Sequence, residues 1–297
     1  MATCGGRPVG ILALLMVVPL TGTAQNPGLS SSWFALNVYS GVNQEQECYS
    51  PAQVATGSSG LVITAAAQQT ACSGTPEFYT SGAVVWAPPL TWQYGTIEFY
   101  AEMAGGQGPW PAIWLLGHNC QPSGPTIYNA PTCQWPNPGS DEIDIAEILN
   151  SNHASVNQEI HTTDASGVRH DDSCRPMVTD VSRNYHLYEM DWSPGSLTWK
   201  IDGTQTCSIT KSYVPSSRMY LIINVAVGGT TGGTPDNSTF PASTTVKYIK
   251  MCTSTSGCSN PGIAAPDPTG SIFFDNFSVG GPTDPTKLVT VVHDDRD

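Results

Sequence analysis

The strongest constraint on the fold is a series of short apolar and aromatic segments, separated by Gly, Pro and Asn clusters, with almost no helical periodicity. Segments such as "GTIEFYAEMA", "EIDIAEIL" and "YLIINVAV" have the length and composition of strands. Their number and spacing predict an all-β fold, a two-sheet antiparallel β-sandwich. "KIDG" at 200–203 predicts a hairpin turn, whereas "HDD" at 170–172 and "GGTTGG" at 228–233 predict loops.

The start of the chain has the pattern of a secretory signal peptide. Arg7 precedes the apolar run "VGILALLMVVPL", and small residues lead to an expected cleavage site between Ala24 and Gln25. An uncleaved membrane anchor is the alternative, although the run is short for a bilayer span. Residues 1–24 are predicted to be a signal peptide and residues 25–297 a single catalytic domain, since no shift in composition marks a second one. The protein is expected to be secreted, either to the extracellular space or to a periplasm.

The cysteines agree with export. Cys4 lies in the leader, and the eight that remain suit four disulfides in an exported chain. No CxxC or HExxH run is present, so a zinc site is poorly supported. On the order of a hundred pairings are open to eight cysteines. Proximity along the chain favours Cys48–Cys72, Cys120–Cys133, Cys174–Cys207 and Cys252–Cys258.

The charge balance limits the partners. The formal net charge is −13, and removing Arg7 with the leader makes it −13 − 1 = −14. An acidic surface repels nucleic acid, anionic membranes and sulfated or uronic-acid polymers. We therefore expect no nucleic-acid partner, no membrane partner and a monomer acting on a neutral polymer. The alternative is that acidity only keeps a secreted protein soluble.

Three carboxylates stand in one strand-like run, "DEIDIAE" at 141–147. Buried like charges are costly unless they are paired, neutralised or used. Strand alternation puts Glu142 and Asp144 on one face, and a β-bulge after Asp144 would return Glu147 to that face. Ile143 and Ile148 would then face the sandwich interior. Crowding of the three carboxylates should raise at least one pKa and so keep a proton available for acid catalysis.

The same spacing bears on the reaction. With one residue absorbed by the bulge, the Cα atoms of Glu142 and Glu147 lie roughly 13 Å apart, at ~3.3 Å per step. Side chains that lean together can close most of that gap. A retaining glycosidase uses a carboxyl separation of about 5–5.5 Å, and an inverting one about 6.5–9.5 Å, so the estimate favours retention. A solvated polar face or a calcium site are the alternatives.

The motifs around this strand resemble glycoside hydrolase family 16. "EIDIAE" fits the family's bulged E-x-D-x-x-E signature. "WQYGTIEFYAEMAGGQGPWPAIWLLG", "EIHTTD", "NYHLYEMDWSPGSLTWKIDG", "YLIINVAVGG" and "SIFFDNFSV" are similar to further strands of the family in the same order. The resemblance covers about residues 30–280 and is specific because all of these parts occur together.

The resemblance implies a concanavalin-A-like β-jelly-roll of two curved sheets with a concave substrate cleft. Glu142 matches the nucleophile, Glu147 the acid/base and Asp144 the residue that orients the nucleophile. The bulged motif is typical of members that act on β-1,3-glucan, with agarases and carrageenases among the relatives. One departure from the family pattern is that Ser140 and Asp141 extend the segment before the first glutamate.

Aromatic residues and a histidine complete the expected cleft. Sugars stack on exposed aromatic faces, so Trp110 and Trp135 are predicted sugar platforms. His161 matches the family's cleft histidine, which approaches the leaving-group side; the alternative is a satisfied strand histidine. Among the other strand-like tryptophans, Trp114 could face either way, and Trp192 and Trp199 are expected in the core.

The resemblance also implies one structural calcium ion, with Asp275 as side-chain ligand and Gly95 as carbonyl ligand; a plain strand-end aspartate is the alternative. No cofactor is expected for catalysis. The leading function is a retaining endo-β-1,3-glucanase, with some tolerance of mixed β-1,3/1,4 linkages, and the polysaccharide substrate is its partner. A galactan hydrolase and a non-hydrolytic β-glucan recognition protein are the competing readings. Such recognition proteins lack the catalytic glutamates, and both Glu142 and Glu147 are present here.

Overall fold

The structure is a computed structural model that describes residue 29 and residues 32–57, 59–72, 75–252 and 272–276; for residues 71, 75, 252 and 272–276 it describes the backbone alone. The predicted signal peptide and the Cys258 partner of Cys252 lie outside the described residues. Within them, no helix is long and apolar enough to cross a membrane.

Nearly all of the regular structure is β-strand, as the short apolar segments predict. The only α-helical turn described is α1 (Gly229–Gly232), with 3₁₀ turns at Pro51–Gln53, His118–Cys120 and Asn237–Thr239. The strands are β1 (Trp33–Ala35), β2 (Val38–Tyr39), β3 (Glu47–Tyr49), β4 (Val54–Gly57), β5 (Gly60–Ala65), β6 (Thr70–Cys72), β7 (Thr75–Glu77), β8 (Tyr79–Ser81), β9 (Ala83–Trp86), β10 (Gly95–Glu102), β11 (Pro109–Gly117), β12 (Glu142–Glu147), β13 (Asn157–Thr163), β14 (Arg169–Cys174), β15 (His186–Ser193), β16 (Ser196–Ile201), β17 (Thr204–Thr210), β18 (Met219–Val227), β19 (Ala242–Cys252) and β20 (Ile272–Asn276).

Two large antiparallel sheets form the domain, which confirms the predicted sandwich. The seven-stranded sheet has the order β1-β9-β18-β11-β12-β13-β14. The eight-stranded sheet runs β17-β16-β15-β10-β19-β5-β4, with β20 paired to β19. A three-stranded and a two-stranded sheet, β2-β3-β8 and β6-β7, lie beside them. The carboxylate strand β12 lies inside the seven-stranded sheet, so its neighbours on both sides can present side chains to it.

The core confirms the expected positions of two tryptophans. Trp192 and Trp199 are both 0% exposed. The Trp199 indole N–H crosses from the eight-stranded sheet and donates to the backbone carbonyl of Asp144 at 3.0 Å. The disulfide Cys174–Cys207 joins the edge strands β14 and β17 of the two sheets. The hydrogen bond from Trp199 fixes the carboxylate strand β12 relative to the opposite sheet, and the disulfide joins the two sheets at their edges.

Two further disulfides, Cys48–Cys72 and Cys120–Cys133, also form as proximity predicted. The predicted hairpin at Asp202–Gly203 is confirmed, with φ values of 52° and 76° and Ile201 paired to Thr204.

One loop prediction was wrong. Residues 170–172 belong to β14, which pairs with β13 from Gln158↔Cys174 to Thr163↔Arg169. This strand is the edge of the sheet, and its residues are exposed or half-buried on both faces. The strand therefore has no alternating hydrophobic pattern that would predict it from the sequence. The predicted loop at 228–233 lies outside the strands and contains a single helical turn, α1 (Gly229–Gly232).

Candidate active site

A β-bulge in β12 brings the three carboxylates to one face, as the motif predicted. Along β11 the register passes from Trp114↔Asp144 to Ile113↔Ala146, so Ile145 has no partner on that strand. Along β13 the register shifts between Asp144 and Glu147. Ile143 and Ile148 are both 0% exposed on the core side. The extra residue therefore reverses the alternation between the second and third carboxylate.

The neighbouring strand β13 adds a row of polar side chains to the same face of the sheet. His161 pairs with Glu142, Glu159 with Asp144, and Asn157 with Glu147. Oxygen atoms of Glu142 and Asp144 and a ring nitrogen of His161 all lie within 4.8 Å of one another. Oxygen atoms of Asp144, Glu147 and Glu159 form a second group within the same distance. Asp144 thus stands between the two glutamates.

Glu142 is held by one tryptophan and faces one histidine. The Trp135 indole N–H donates to Glu142 Oε2 at 2.8 Å. The Nε2 atom of His161 lies 3.8 Å from Glu142 Oε1. Burial raises the pKa of Glu142 to about 7, while the charge of His161 opposes the rise and that of Glu147 adds to it. Glu142 therefore titrates near neutrality, where its two protonation states have similar free energies.

Glu147 accepts two hydrogen bonds. The Trp110 indole N–H donates to its Oε1 at 2.6 Å, and Asn157 Nδ2 donates to its Oε2 at 2.8 Å. Burial raises the pKa of Glu147, and these two donors oppose the rise. Asn157 is itself oriented by Arg175, whose Nε donates to Asn157 Oδ1 at 3.1 Å. Both oxygens of Glu147 are therefore fixed by neighbours on β11 and β13.

Asp144 is the most deeply buried of the three carboxylates. It is 3% exposed, and its Oδ2 atom has no hydrogen-bond partner among the described residues. Burial raises the pKa of Asp144 well above its usual range, and the charges of Glu142 and Glu147 raise it further. This confirms the expectation that crowding raises carboxylate pKa values here. A neutral Asp144 carries a proton that can be donated to an adjacent carboxylate.

His161 faces three carboxylates through one ring nitrogen and a fourth through the other. Its Nε2 lies 3.7 Å from Asp144 and 3.9 Å from Glu159, in addition to Glu142. Its Nδ1 lies 2.5 Å from Asp171 Oδ1. Burial alone would lower the pKa of His161, but the charge of Glu142 and the hydrogen bond to Asp171 outweigh it and raise the pKa. The imidazolium form is therefore favoured beside Glu142.

The structure brings together six of the eight site residues predicted from the sequence: Trp110, Trp135, Glu142, Asp144, Glu147 and His161. Trp135 is 43% exposed and Trp110 is half-buried. Their indole N–H groups bind the glutamates, a role that the sequence did not indicate. Their use as sugar platforms stays a prediction. The remaining pair, Gly95 and Asp275, belongs to the other sheet.

Four polar residues of this site were missed: Asn157, Glu159, Arg169 and Asp171. Period-2 alternation along "NQEIHTT" places Asn157 and Glu159 on the face of His161, so that signal was available. Arg169 and Asp171 were missed because this polar segment carries no strand pattern and residues 170–172 predict a loop. Their contacts with Trp135 and His161 depend on the pairing of β14 with β13.

The described residues do not test the predicted calcium site. Asp275 pairs with Ile249, which pairs with Phe99, four residues along β10 from Gly95. Calcium ligands lie about 2.3–2.6 Å from the ion. The strand register alone does not bring Asp275 and Gly95 that close to a common point. The side chain of Asp275 lies outside the described part, and the calcium ion stays a prediction. Titration of EDTA-treated protein with Ca²⁺ tests it, since a bound ion would raise the melting temperature.

Comparison with known proteins agrees with this geometry. The family model described as glycosyl hydrolases family 16 matches residues 43–250. That match ends before β20, so the likeness of "SIFFDNFSV" is not part of it. A β-glucanase of Rhodothermus marinus is 30% identical over 226 residues, which are 70% of this chain and 74% of that protein. A keratan-sulfate endo-1,4-β-galactosidase of Sphingobacterium multivorum is 27% identical over 68% of this chain and 46% of its own length.

Among solved structures, the X-ray structure of the laminarinase from Rhodothermus marinus has a TM-score of 0.62 and 27% identity, covering 75% of this chain and 92% of that one. The family match spans more than half of the chain and includes the bulged strand with both glutamates and Asp144. The chain therefore belongs to glycosyl hydrolase family 16.

Proposed function

We propose that the protein is a retaining endo-β-1,3-glucanase in which Glu142 is the nucleophile, Glu147 the acid/base and Asp144 the residue that orients Glu142. The observation that carries this proposal is the common face of the bulged strand. Each glutamate has an oxygen within 4.8 Å of Asp144, and each accepts a tryptophan N–H. Retention is proposed from the spacing of the two glutamates along the bulged strand, and the anomer of the first-formed product tests it.

In the first step, a Glu142 oxygen attacks the anomeric carbon while Glu147 gives its proton to the departing glycosidic oxygen. The old C–O bond breaks and a glycosyl ester of Glu142 forms. In the second step, Glu147 takes a proton from water, and the water oxygen attacks the anomeric carbon and releases Glu142. The cationic form of His161, 3.8 Å from Glu142, favours the ionised nucleophile.

The charges around the glutamates support a neutral substrate. Besides the three carboxylates of β12, Glu159 and Asp171 lie on the adjoining strands of the same face. An anionic polymer would bring further negative charge against them at short range. A hydrolase of a sulfated polymer, such as the keratan sulfate named for the Sphingobacterium relative, is therefore the weaker candidate. Turnover of laminarin, curdlan, mixed-linkage glucan, agarose and keratan sulfate compared side by side decides between them.

Azide rescue tests the two assigned roles. Glu142→Ala should abolish hydrolysis of laminarin, and azide should restore turnover with an α-glycosyl azide as product. Glu147→Ala should spare the first step for substrates with good leaving groups, and azide should then give the β-product. Asp144→Asn should slow both steps by about 100-fold, the scale of a lost acid/base or orienting contact. Glu102→Ala, a half-buried glutamate of the eight-stranded sheet, is the matched control and should keep normal activity.

The result that would overturn the assignment is near-normal activity of Glu142→Ala, and opposite anomers would exchange the two labels. NMR of the first-formed wild-type product should show the β-anomer if configuration is retained. No release of reducing ends from any glucan would favour the recognition-protein reading. We further propose that the mature protein is secreted as a monomer. An N-terminus at Gln25 and a single monomeric peak in size-exclusion chromatography are the expected results.

A further inference from the structure

Five side chains, Glu142 among them, form a closed ring of contacts that reaches the edge of the sheet. Glu142 accepts the Trp135 N–H and faces His161. The Arg169 guanidinium lies over the Trp135 ring, 4.5 Å from its centroid. Arg169 Nε lies 2.9 and 2.8 Å from the two oxygens of Asp171, and Asp171 binds His161 Nδ1. Each residue that touches Glu142 in this ring is thus held by the same pair on β14.

The position of that pair follows from the strand register. Asp171 is opposite His161 on β13, and Arg169 lies two residues away on the same face. Their side chains are 40% and 47% exposed, and an isolated surface ion pair of this kind adds little stability. Hydrogen bonds from Arg169 and His161 outweigh burial and lower the pKa of Asp171, so it stays ionised as an acceptor. A role in positioning His161 and Trp135 therefore explains the pair better than a contribution to the stability of the fold does.

We propose that Asp171 and Arg169 are positioning residues for the nucleophile. Asp171 accepts the Nδ1–H of His161 and so turns Nε2 toward Glu142. Arg169 holds Asp171 and covers one face of Trp135, whose N–H binds Glu142. Neither residue contacts the reacting atoms in this role. The inference rests on the proposed function, in which Glu142 must be ionised and fixed when the sugar binds.

The titratable and charged groups that face His161 determine the expected effect. They are Glu142 and Asp144 from β12, Glu159 from β13, and Asp171 with Arg169 behind it from β14. Asp171→Asn removes one of these negative charges and the charged acceptor, so it disfavours imidazolium and with it the ionised form of Glu142. The charge of Glu147 also raises the pKa of Glu142, and the charge of Glu142 raises the pKa values of Tyr128 and Tyr220. The substitution leaves these three residues unchanged. The acidic limb of the pH–rate profile should therefore move to higher pH.

The test compares kcat/KM on laminarin from pH 4 to 9 for Asp171→Asn and the control Asp172→Asn. Asp172 loses the same charge on the same strand but accepts from Tyr213, away from His161. Asp171→Asn should lose about tenfold on the acid side, since one unit of pKa is a tenfold change in ionised form, and recover as pH rises. Arg169→Met should shift the limb in the same direction, and Arg169→Lys should restore it. The loss should lie in kcat more than in KM, because the pair does not contact the sugar in this role.

A second readout does not depend on activity. The pKa of His161, followed by NMR with the signal assigned through His161→Gln, should fall in Asp171→Asn and stay unchanged in Asp172→Asn. The proposal is overturned if the acidic limbs of the pH–rate profiles coincide for Asp171→Asn and Asp172→Asn and the pKa of His161 is the same in both variants. If the wild type cleaves no glucan while the His161 pKa still falls, the proposed function is wrong and the positioning contact stands.

Discussion

The tryptophan N–H bonds to the two glutamates lead to a prediction in which each substitution moves a different limb of the pH–rate profile. Trp110→Phe removes the donor to Glu147, and Trp135→Phe removes the donor to Glu142, while both keep an aromatic ring for sugar stacking. Loss of a donor to a carboxylate destabilises the charged form and raises its pKa. Glu147 must be protonated to act as the acid, so Trp110→Phe should move the basic limb to higher pH. Glu142 must be ionised, so Trp135→Phe should move the acidic limb to higher pH.

The size of each shift follows from the geometry. A hydrogen bond to a charged group contributes about 1.5–3 kcal/mol, which corresponds to roughly 1–2 units of pKa. The 2.6 Å bond from half-buried Trp110 should approach that range, although Glu147 keeps its Asn157 donor. Trp135 is 43% exposed, so water can replace its donor and the shift should be about half as large.

The assay is kcat/KM on laminarin across pH, since this ratio reports the ionisation of the free enzyme. Because the two glutamates interact through charge, the limbs belong to the pair, and the displacement of each limb is the measured quantity. Trp114→Phe is the control: its N–H donates to Asn224, an amide that does not titrate, so both limbs should stay in place. If Trp110→Phe moved the acidic limb instead, Glu147 would be the nucleophile. If neither substitution moved a limb, these bonds would not set the ionisation of the glutamates.

Three further predictions concern stability and substrate charge. Asp141 is 2% exposed, and burial raises its pKa from 3.8 to about 6; the stability that its neutral form contributes is present below pH ~4 and lost as pH rises through about 6. Asp141→Asn should therefore raise stability at pH 7 by up to about 3 kcal/mol and leave it unchanged at pH 4, as measured by denaturant unfolding at both pH values. Replacing Cys174 and Cys207 by Ser should cost about 1 kcal/mol more than replacing Cys120 and Cys133, because the closed segments span 33 and 13 residues, and equal losses would contradict this loop argument. Keratan sulfate should be cleaved much more slowly than laminarin at low salt, and added salt should narrow the difference if cleft charge is its cause.

Sequence alone determined the features that depend on local alternation and proximity. Period-2 alternation with one bulge predicted that Glu142, Asp144 and Glu147 share a face, because that geometry is set within a single strand. Chain proximity was enough for the three disulfides of the described residues, and the strand-like runs were enough for the sandwich.

Tertiary structure decided what lies opposite each carboxylate. Arg169 and Asp171 reach the nucleophile only because β14 pairs with β13, and an exposed polar edge strand carries no hydrophobic pattern that would reveal this pairing. The N–H contacts of Trp110 and Trp135 likewise depend on which neighbours β12 has and on the segment that carries Trp135 over it. The pKa of Asp144 is raised mainly because elements distant in the chain exclude water from it, and the charges of Glu142 and Glu147 on its own strand add to the rise. Burial and the distances between charges are sums over non-local neighbours, so they exist only once the two sheets have packed.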